Sequence, residues 1–303
     1  MRIRGLREEE WDAVAELIHA STNGWYEKNL NRSIFQRDDF SGCRVFPEVY
    51  EALDPGCCLV GEEEGSGRLM GSCFFHPRET HMSLGIMNAH PDFAGRGVGR
   101  ELLDEIVRRA EGKPVRLVSS AMNLDSFSLY TRAGFVPREI YQDMYLPVEK
   151  GRPEAPAGAG AVRAATPEDA DALVALEEGV SGIRRTKDYR FFLENRQGVW
   201  RVFVIEGDDG LEGFLVSIDH PGSCMLGPGV MRSEEAALAL IHAQLTAMPE
   251  RQPVFLVPGR AEKLVAALYA WGARNCEIHV AQVRGETKPF GGITMPTFMP
   301  ETG

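Results

Sequence analysis

Short apolar runs bounded by turn residues recur through the first half of the chain, and this pattern predicts β-strands. The runs are Arg2 to Leu6, Cys57 to Glu62, Leu69 to Phe75, His81 to Ala89, Val115 to Ser120 and Glu139 to Leu146. Gly65-Ser66-Gly67 marks a turn between the second run and the third. The three runs between residues 57 and 89 therefore predict an antiparallel meander.

Two stretches between these runs have the spacing of an amphipathic helix. The apolar face of the first is formed by Trp11, Val14, Leu17 and Ile18, and that of the second by Leu102, Leu103, Ile106 and Val107. Residues 20–55 lack such a pattern and are predicted to be irregular. Their aromatic residues form either a satellite core or the wall of a substrate site; these are Trp25, Tyr26, Phe35, Phe40, Phe46 and Tyr50.

The second half repeats this order after a Pro/Gly-rich linker at residues 150–161. Strands are predicted at Ala161 to Ala165, Trp200 to Glu206, Gly213 to Ile218 and Val254 to Val257, and helices from Thr166, at Ser233 to Met248 and at Arg260 to Trp271. Gly291 to Met295 is expected to form an extra strand or arm. The pattern predicts a second copy of the first unit.

Three glycines follow the strand that ends at Ala89 and precede the second helix: Gly95, Gly97 and Gly99. The first N–H groups of a helix have no partner inside it, and glycines let a ligand approach the backbone closely. This loop therefore predicts a cradle for phosphate or pyrophosphate, with Arg96 and Arg100 beside it. A Walker loop and a dinucleotide fingerprint fit the spacing poorly, and a turn that binds nothing stays open.

A second motif follows about one βα unit later: Asn123-x-x-Ser126-x-x-Leu129-Tyr130-x-x-x-Gly134-Phe135. Together with Pro91 and the glycine loop, it resembles the GNAT superfamily of acetyl-CoA-dependent N-acetyltransferases over roughly residues 82–136. Ala94 departs from the family pattern, which usually has Gln or Arg just ahead of the first glycine. Since backbone amides do most of the pyrophosphate binding, the departure weakens one contact only.

The resemblance implies acetyl-CoA as acetyl donor, with no metal. Its binding residues would be Met87, Asn88, Ala89, Ala94, Gly95, Arg96, Gly97, Val98, Gly99, Arg100, Asn123, Ser126 and Tyr130. Tyr130 would protonate the leaving thiolate, and the Ala89 amide would polarise the thioester. The base would be Glu79, His81 or His90, of which His90 lies nearest to the acetyl end, or water. The acceptor region would include Trp25, Tyr26 and Phe46.

The second copy is expected to lack this chemistry. Leu226-Gly227-Pro228-Gly229-Val230 is assigned to its cradle position, where Pro228 would remove an amide donor. When Gly272 is aligned with Gly134, Leu268 takes the place of Tyr130 and Ala261 that of Asn123. The second copy would then be a structural partner that closes the acceptor side.

Composition agrees with a globular protein: 44% of residues are hydrophobic and 25% are charged. The net charge of −11 argues against nucleic acid and anionic membrane as partners and fits an amine substrate. The six cysteines have no C-x-x-C spacing and indicate reduced thiols in a cytoplasmic protein. No signal-type or membrane-length apolar run is present, and a homodimer is left open.

These observations predict an α/β (α+β type) protein with two GNAT-like domains, each a mixed, largely antiparallel twisted sheet flanked by helices. The expected division is an active acetyltransferase domain at residues 1–149, a linker at 150–161 and a degenerate domain at 162–303. The expected activity is direct transfer of acetyl from acetyl-CoA to an amine of a small molecule or a protein. The alternative is a catalytically silent acyl-CoA-binding sensor or interaction module.

Overall fold

The computed structural model describes residues 1–299, and in this part of the chain a single mixed sheet contains thirteen strands. The strands of the first half are β1 (Arg2–Gly5), β2 (Cys58–Glu62), β3 (Leu69–Pro77), β4 (Met82–Ala89), β5 (Val115–Ser120) and β6 (Val136–Tyr145). Its helices are α1 (Trp11–Leu30), α2 (Val45–Leu53), α3 (Val98–Arg109) and α4 (Leu124–Arg132). The predicted meander is confirmed, because β2 pairs with β3 and β3 with β4, both antiparallel.

The second half repeats this series with one addition. Its strands are β7 (Val162–Ala164), β8 (Trp200–Gly207), β9 (Gly210–His220), β10 (Ser223–Met231), β11 (Val254–Pro258), β12 (Arg274–Arg284) and β13 (Ile293–Met295). Its helices are α5 (Ala170–Ser181), α6 (Thr186–Glu194), α7 (Glu234–Ala247) and α8 (Glu262–Ala270). β13 is the expected extra strand, and it pairs with β10.

The last strands of the two halves are exchanged. The sheet order is β1-β2-β3-β4-β5-β12-β6-β11-β10-β9-β8-β7, so β12 lies between β5 and β6. β6 in turn pairs with β11 of the second half, with Phe255 opposite Met144. The run predicted to complete the first domain therefore joins the two halves, and no strand edge is left open at their junction. The domain boundaries stay predictions, since sheet pairing crosses them.

Each face of the sheet has its own core. On one face, α1 and α2 of the first half and α5 and α6 of the second share one continuous apolar cluster. On the other face the halves pack separately: α3 and α4 cover the first half, and α7 and α8 cover the second. Only the face with α1 and α5 can therefore build one site from both halves. We call it the shared face.

A buried charge network also joins the halves on this side. Arg78 Nη2 lies 2.8 Å from Asp54 Oδ2 and 2.5 Å from Asp188 Oδ1, and all three side chains are almost fully buried. His76 Nδ1 lies 2.7 Å from Asp54 Oδ2. Removing one member of such a network leaves an uncompensated buried charge, so it fixes how the halves meet.

The prediction that residues 20–55 are irregular is wrong. The first helix continues to Leu30, and a second helix covers Val45–Leu53. The polar stretch around Asn23 stays helical because its buried side chain has tertiary partners. Asn23 Oδ1 accepts from the amides of Ile34 at 3.0 Å and Phe35 at 2.9 Å.

The assignment of Leu226 to Val230 to a cradle position is also wrong, because these residues lie inside β10. The glycines and Pro228 suggested a loop, but they form a bulge between Leu226 and Gly229. β4 has the matching irregularity between Leu84 and Met87. Gly229 thus corresponds to Met87, and Met231 to Ala89.

Candidate functional site

The centre of the first half is a gap between β4 and β5. These parallel strands pair at Met82 with Val115 and at Ser83 with Arg116, and within residues 1–299 they pair nowhere else. Beyond the bulge of β4 the two strands diverge. The gap opens into a cavity lined by residues 84–88 of β4 and 117–120 of β5.

Backbone groups of β4 point into this gap. The His90 amide donates to Met70 O at 2.8 Å, and Ala89 lies opposite Gly71. Along an antiparallel ladder, hydrogen-bonded pairs alternate with non-hydrogen-bonded pairs. The backbone of Asn88 therefore hydrogen-bonds to β3, while the N–H and C=O groups of Met87 and Ala89 point toward β5. Because β5 has diverged there, a ligand in the gap can take the place of the missing strand.

The glycine loop begins α3 as predicted. Gly97 is the N-cap residue with φ +81°, and Gly95 also has a positive φ of 76°. The first internal hydrogen bond of the helix is donated by Glu101 to Gly97 O at 3.0 Å, so the amides of Val98, Gly99 and Arg100 precede it. A Cβ on Gly97 would meet nothing within 4 Å, so the space in front of the loop is open.

The arginines beside the loop differ. Arg96 already contacts Glu63 at 3.0 Å and stacks on Phe93, whereas Arg100 is exposed and lies 3.7 Å from Asp104. Ala94 is exposed at the end of a short 3-10 turn. Gly95 to Arg100 do not line the cavity, but a Cβ on Gly99 would lie 4.0 Å from the Met87 side chain. The loop therefore adjoins the gap from outside.

The second motif lies across the gap from β4. Asn123 is the N-cap of α4, and its Oδ1 accepts from the Ser126 amide at 3.1 Å. Asn123, Ser126 and Tyr130 all line the cavity. The Tyr130 side chain is buried in the core with α3, on the face opposite to the shared one. The structure thus brings the motif and the gap together, as the resemblance requires.

The cavity has a volume of about 670 Å³ and extends from the gap to the shared face. Tyr26 and Phe46, two of the three predicted acceptor residues, line it. Trp25 does not; its ring packs edge-on against Tyr26 at 5.0 Å. Second-half residues complete the wall: Pro221, Gly222, Ser223, Cys224, Met225, Val254, Cys276, Glu277, His279 and Phe298.

A polar cluster on the exchanged strands was not predicted from the sequence. Glu277 on β12 is buried; it accepts from Tyr26 Oη at 2.7 Å, from Ser120 Oγ at 2.6 Å and from Arg32 Nη2 at 2.6 Å. Burial, and then the nearby Glu277 carboxylate, raise the pKa of the Tyr26 phenol. The only sequence signal was polar alternation in residues 274–284, a run without clear strand boundaries.

His279 and Asp143 form the second part of this cluster. His279 Nδ1 lies 2.8 Å from Asp143 Oδ2, and the His279 ring packs against Phe298 at 4.6 Å. Both residues line the cavity and both are buried. Burial raises the pKa of the Asp143 carboxyl, and His279 opposes that shift.

The base candidates named from the sequence lie outside the cavity. His90 Nδ1 accepts from the Asp92 amide at 3.1 Å and caps a short turn. His81 is buried at the other end of β4, where burial and nearby arginines hold its pKa well below the ordinary value. Glu79 accepts from the Thr186 amide at 3.2 Å on the surface. None of the three lines the cavity.

The equivalent gap in the second half is filled by the chain itself. β10 and β11 pair at Met225 and Leu226 and then separate, as β4 and β5 do. β13 pairs with Gly229 to Met231, the residues that correspond to Met87 to Ala89. The space left beside it is about 20 Å³. Ser233 caps α7 through a 3.1 Å bond from the Ala236 amide, where the first half has its glycine loop.

The motif positions of the second half match the alignment made from sequence. Gly272 has φ +90° and Gly134 has φ +86°. The Ala273 amide bonds Leu268 O as the Phe135 amide bonds Tyr130 O, each at 3.0 Å. Ala261 is the N-cap of α8 without a side-chain acceptor. The second half therefore lacks a counterpart of the Tyr130 phenol at this position.

All six cysteines are free. Residues 1–299 contain no group of three or more His, Cys, Asp or Glu side chains arranged to hold a metal ion. No helix in this described range is both long and apolar enough to span a bilayer.

Comparison with known proteins agrees with this geometry. Residues 11–135 match the model of the acetyltransferase (GNAT) family. Among curated protein sequences, none matches the chain.

Solved structures share the fold over almost the whole chain. A candidate acetyltransferase from Pyrococcus horikoshii has a TM-score of 0.72 at 14% identity, covering 97% of this chain and 94% of its own. A GCN5-related N-acetyltransferase from Sphaerobacter thermophilus has a TM-score of 0.62 at 18% identity, covering 97% of both chains. A tandem GNAT protein from the clavulanic acid biosynthesis pathway has a TM-score of 0.61 at 17% identity, covering 93% of this chain and 97% of its own.

Proposed function

Residues 11–135 match the acetyltransferase (GNAT) family, and from this premise we propose that the protein transfers acetyl from acetyl-CoA directly to an amine acceptor. The observation that carries the proposal is the gap between β4 and β5. Unpaired backbone groups of Met87 and Ala89 face this gap, whereas the equivalent groups of β10 are paired with β13. The gap beside β4 is therefore open to a ligand and is called the slot below, whereas in the second half β13 fills the equivalent slot.

The acetyl donor fits the residues around this slot. Its pyrophosphate would lie at the open N-terminus of α3, where the amides of Val98, Gly99 and Arg100 and the exposed Arg100 guanidinium attract an anion. Its pantetheine arm would take the place of a strand beside β4. The buried Asn88 Nδ2 has no hydrogen-bond partner within residues 1–299, so a donor is left for a bound carbonyl.

The proposed reaction divides the work between two groups of the first half. The Ala89 amide, directed into the gap, stabilises the negative charge that develops on the thioester oxygen. The neutral amine nitrogen attacks the carbonyl carbon, the carbon–sulfur bond breaks, and the surplus proton on nitrogen passes to water or restores the phenol. Tyr130 gives its phenolic proton to the departing thiolate, since a phenol is protonated at neutral pH.

A coupled assay of CoA thiol release tests the proposal. We expect release that depends on an added amine and that saturates with acetyl-CoA. Acetyl-CoA binding without release for any amine would instead favour the alternative of a silent sensor. Location in the cytoplasm, absence of nucleic-acid and membrane partners, and homodimer formation stay parts of the hypothesis.

A further inference from the structure

The acceptor side of the cavity is built on the exchanged strands. Asp143 belongs to β6 and His279 to β12, and His279 lies opposite Ser120 at the end of β5. Both side chains belong to the shared face, where Tyr141 and Ala281 of the same strands join the common core. Tyr130 approaches from the opposite face. The gap between β4 and β5 connects the two sides.

The Asp143 carboxylate lies beside one of the two ring nitrogens of His279. Asp143 Oδ2 lies 2.8 Å from Nδ1 without the alignment of a hydrogen bond, and a carboxylate charge at this distance favours the tautomer that carries the proton on Nδ1. Nε2 then has the free lone pair. The Phe298 ring, 4.6 Å away, holds the imidazole plane in place.

The charges on this side favour a cation. Three carboxylates line the cavity, Asp39, Asp143 and Glu277, and the single arginine among the lining residues, Arg32, is already bonded to Glu277. Asp143 is 3% exposed, and its Oδ1 has no hydrogen-bond partner within residues 1–299. A buried acceptor without a partner is costly unless a ligand supplies a donor, and an ammonium group supplies both donor and charge.

The wall of the cavity also limits the size of the acceptor. Gly42 of the first half and Gly222 of the second both line it, and they touch: a Cβ on Gly222 would lie 1.9 Å from Gly42 O. This contact bridges the halves across the acceptor side. Tyr26, Phe46 and Phe298 supply aromatic surface beneath it.

We propose that His279, which lies beside Asp143, is the general base, and that the acceptor is a small cationic amine whose ammonium binds next to His279 Nε2 on this acidic side of the cavity. This inference rests on the proposed function and adds the acceptor class and the base. The bound ammonium gives one proton to His279 Nε2 and becomes a neutral amine. Its nitrogen bonds to the thioester carbon, and the thiolate that leaves takes the Tyr130 proton. The surplus proton on nitrogen restores the phenol, and imidazolium releases its proton to solvent.

His279→Gln tests the base, with His279→Asn as a second variant because the site is buried. We expect the turnover number to fall by about 10²-fold or more, while the acetyl-CoA dissociation constant from calorimetry is unchanged. Retained acetyl-CoA binding also shows that a variant is folded. His242→Gln, on α7 outside the cavity, is the matched control and should behave as wild type.

The pH profile separates a base from a merely structural residue. The acidic limb of kcat/KM should move to higher pH in the His279 variants, because the ammonium must then lose its proton to solvent, and their activity should recover at alkaline pH, where free amine is more abundant. The other titratable groups that face this side are Tyr26, Arg32, Asp39, Asp143, Cys224, Cys276 and Glu277, and all stay in place. An unchanged acidic limb, or a larger loss with His90→Gln than with His279→Gln, would overturn the assignment.

Asp143→Asn tests the acceptor class with n-butylamine, benzylamine, 1,4-diaminobutane and a peptide with a free α-amino group. We expect turnover with small amines, none with the peptide, and at least about a tenfold rise in amine KM for the variant. Turnover with the peptide alone would refute the small acceptor. No turnover with any amine for the wild type would refute the proposed function itself, whereas wild-type turnover with fully active His279 variants would refute only the base.

Discussion

Gly229 pairs with Met295 at the position in β10 that corresponds to Met87 in β4. In the second half, β13 thus occupies the place that we assign to the pantetheine arm of acetyl-CoA in the first half. In both halves, a bulge and a diverging neighbouring strand separate backbone N–H and C=O groups from that neighbour. These groups need other hydrogen-bond partners, which a strand or a ligand can supply. The two halves therefore share an architecture but offer different slots.

This relationship predicts the stoichiometry of binding. Isothermal titration calorimetry should give one acetyl-CoA per chain, because β13 fills the second slot and only about 20 Å³ is left beside it. A value of two would show that β13 is displaced by the ligand. A protein with Tyr130→Phe, in which the slot is intact, should still bind one.

The glycine loop can be tested with a charge and an isosteric control. Gly97→Asp places a carboxylate at the open N-terminus of α3, where we expect a phosphate, and should weaken acetyl-CoA binding by at least about tenfold. In Gly97→Asn the new side chain has the same shape as in Gly97→Asp and must adopt the same left-handed φ of +81°, but it is uncharged. Equal affinities for the two variants in calorimetry would show that the loop binds no anion.

Tyr130→Phe removes one hydroxyl and keeps the ring. The turnover number should fall by ~10²–10⁴-fold while acetyl-CoA affinity stays nearly the same. The free energy of unfolding should change by only about 1 kcal/mol, the net value of a typical hydrogen bond. The loss should shrink for an acyl donor with a more acidic thiol. Wild-type turnover would make Tyr130 a core residue.

The matched control for Tyr130 lies in the second half. Tyr269 is exposed on α8, and its hydroxyl donates to Gln142 at 2.9 Å. Tyr269→Phe should leave the turnover number as in the wild type. A comparable loss in this variant would indicate an indirect effect of the substitution on the fold.

His81 gives the protein a pH-dependent stability. Its pKa is lowered well below the ordinary value, first by burial and then by Arg116 and Arg185, so the folded state keeps it neutral. The unfolded chain binds a proton below pH ~6.5, and stability is therefore lost as pH falls through that value, by up to about 1.4 kcal/mol per pH unit. Thermal melts between pH 7.5 and 5.5 measure this slope.

His81→Gln should reduce the slope without abolishing it. The pKa of buried His76 is also lowered, chiefly by burial, and this residue contributes in the same direction. A slope identical to that of the wild type would show that the pKa of His81 is not lowered on folding.

The sequence by itself determined the elements around the acetyl-CoA slot. The meander, the glycine loop and the start of α3 are local features, since each depends on residues close together in the chain. Asn123, Tyr130 and Gly134 lie within one helix and its caps, so their spacing alone located them. Patterns of this kind fail where tertiary partners decide, as Asn23 shows by keeping α1 helical through a polar stretch.

Only the tertiary structure decided the acceptor side. Asp143 and His279 are far apart in sequence, and they meet because β6 and β12 exchange places in the sheet. The filled slot of the second half likewise depends on β13 returning to β10 from the end of the chain. Which strands pair depends on tertiary context, namely how their faces pack and which edges are available, and the apolar and polar pattern of one segment does not encode this context.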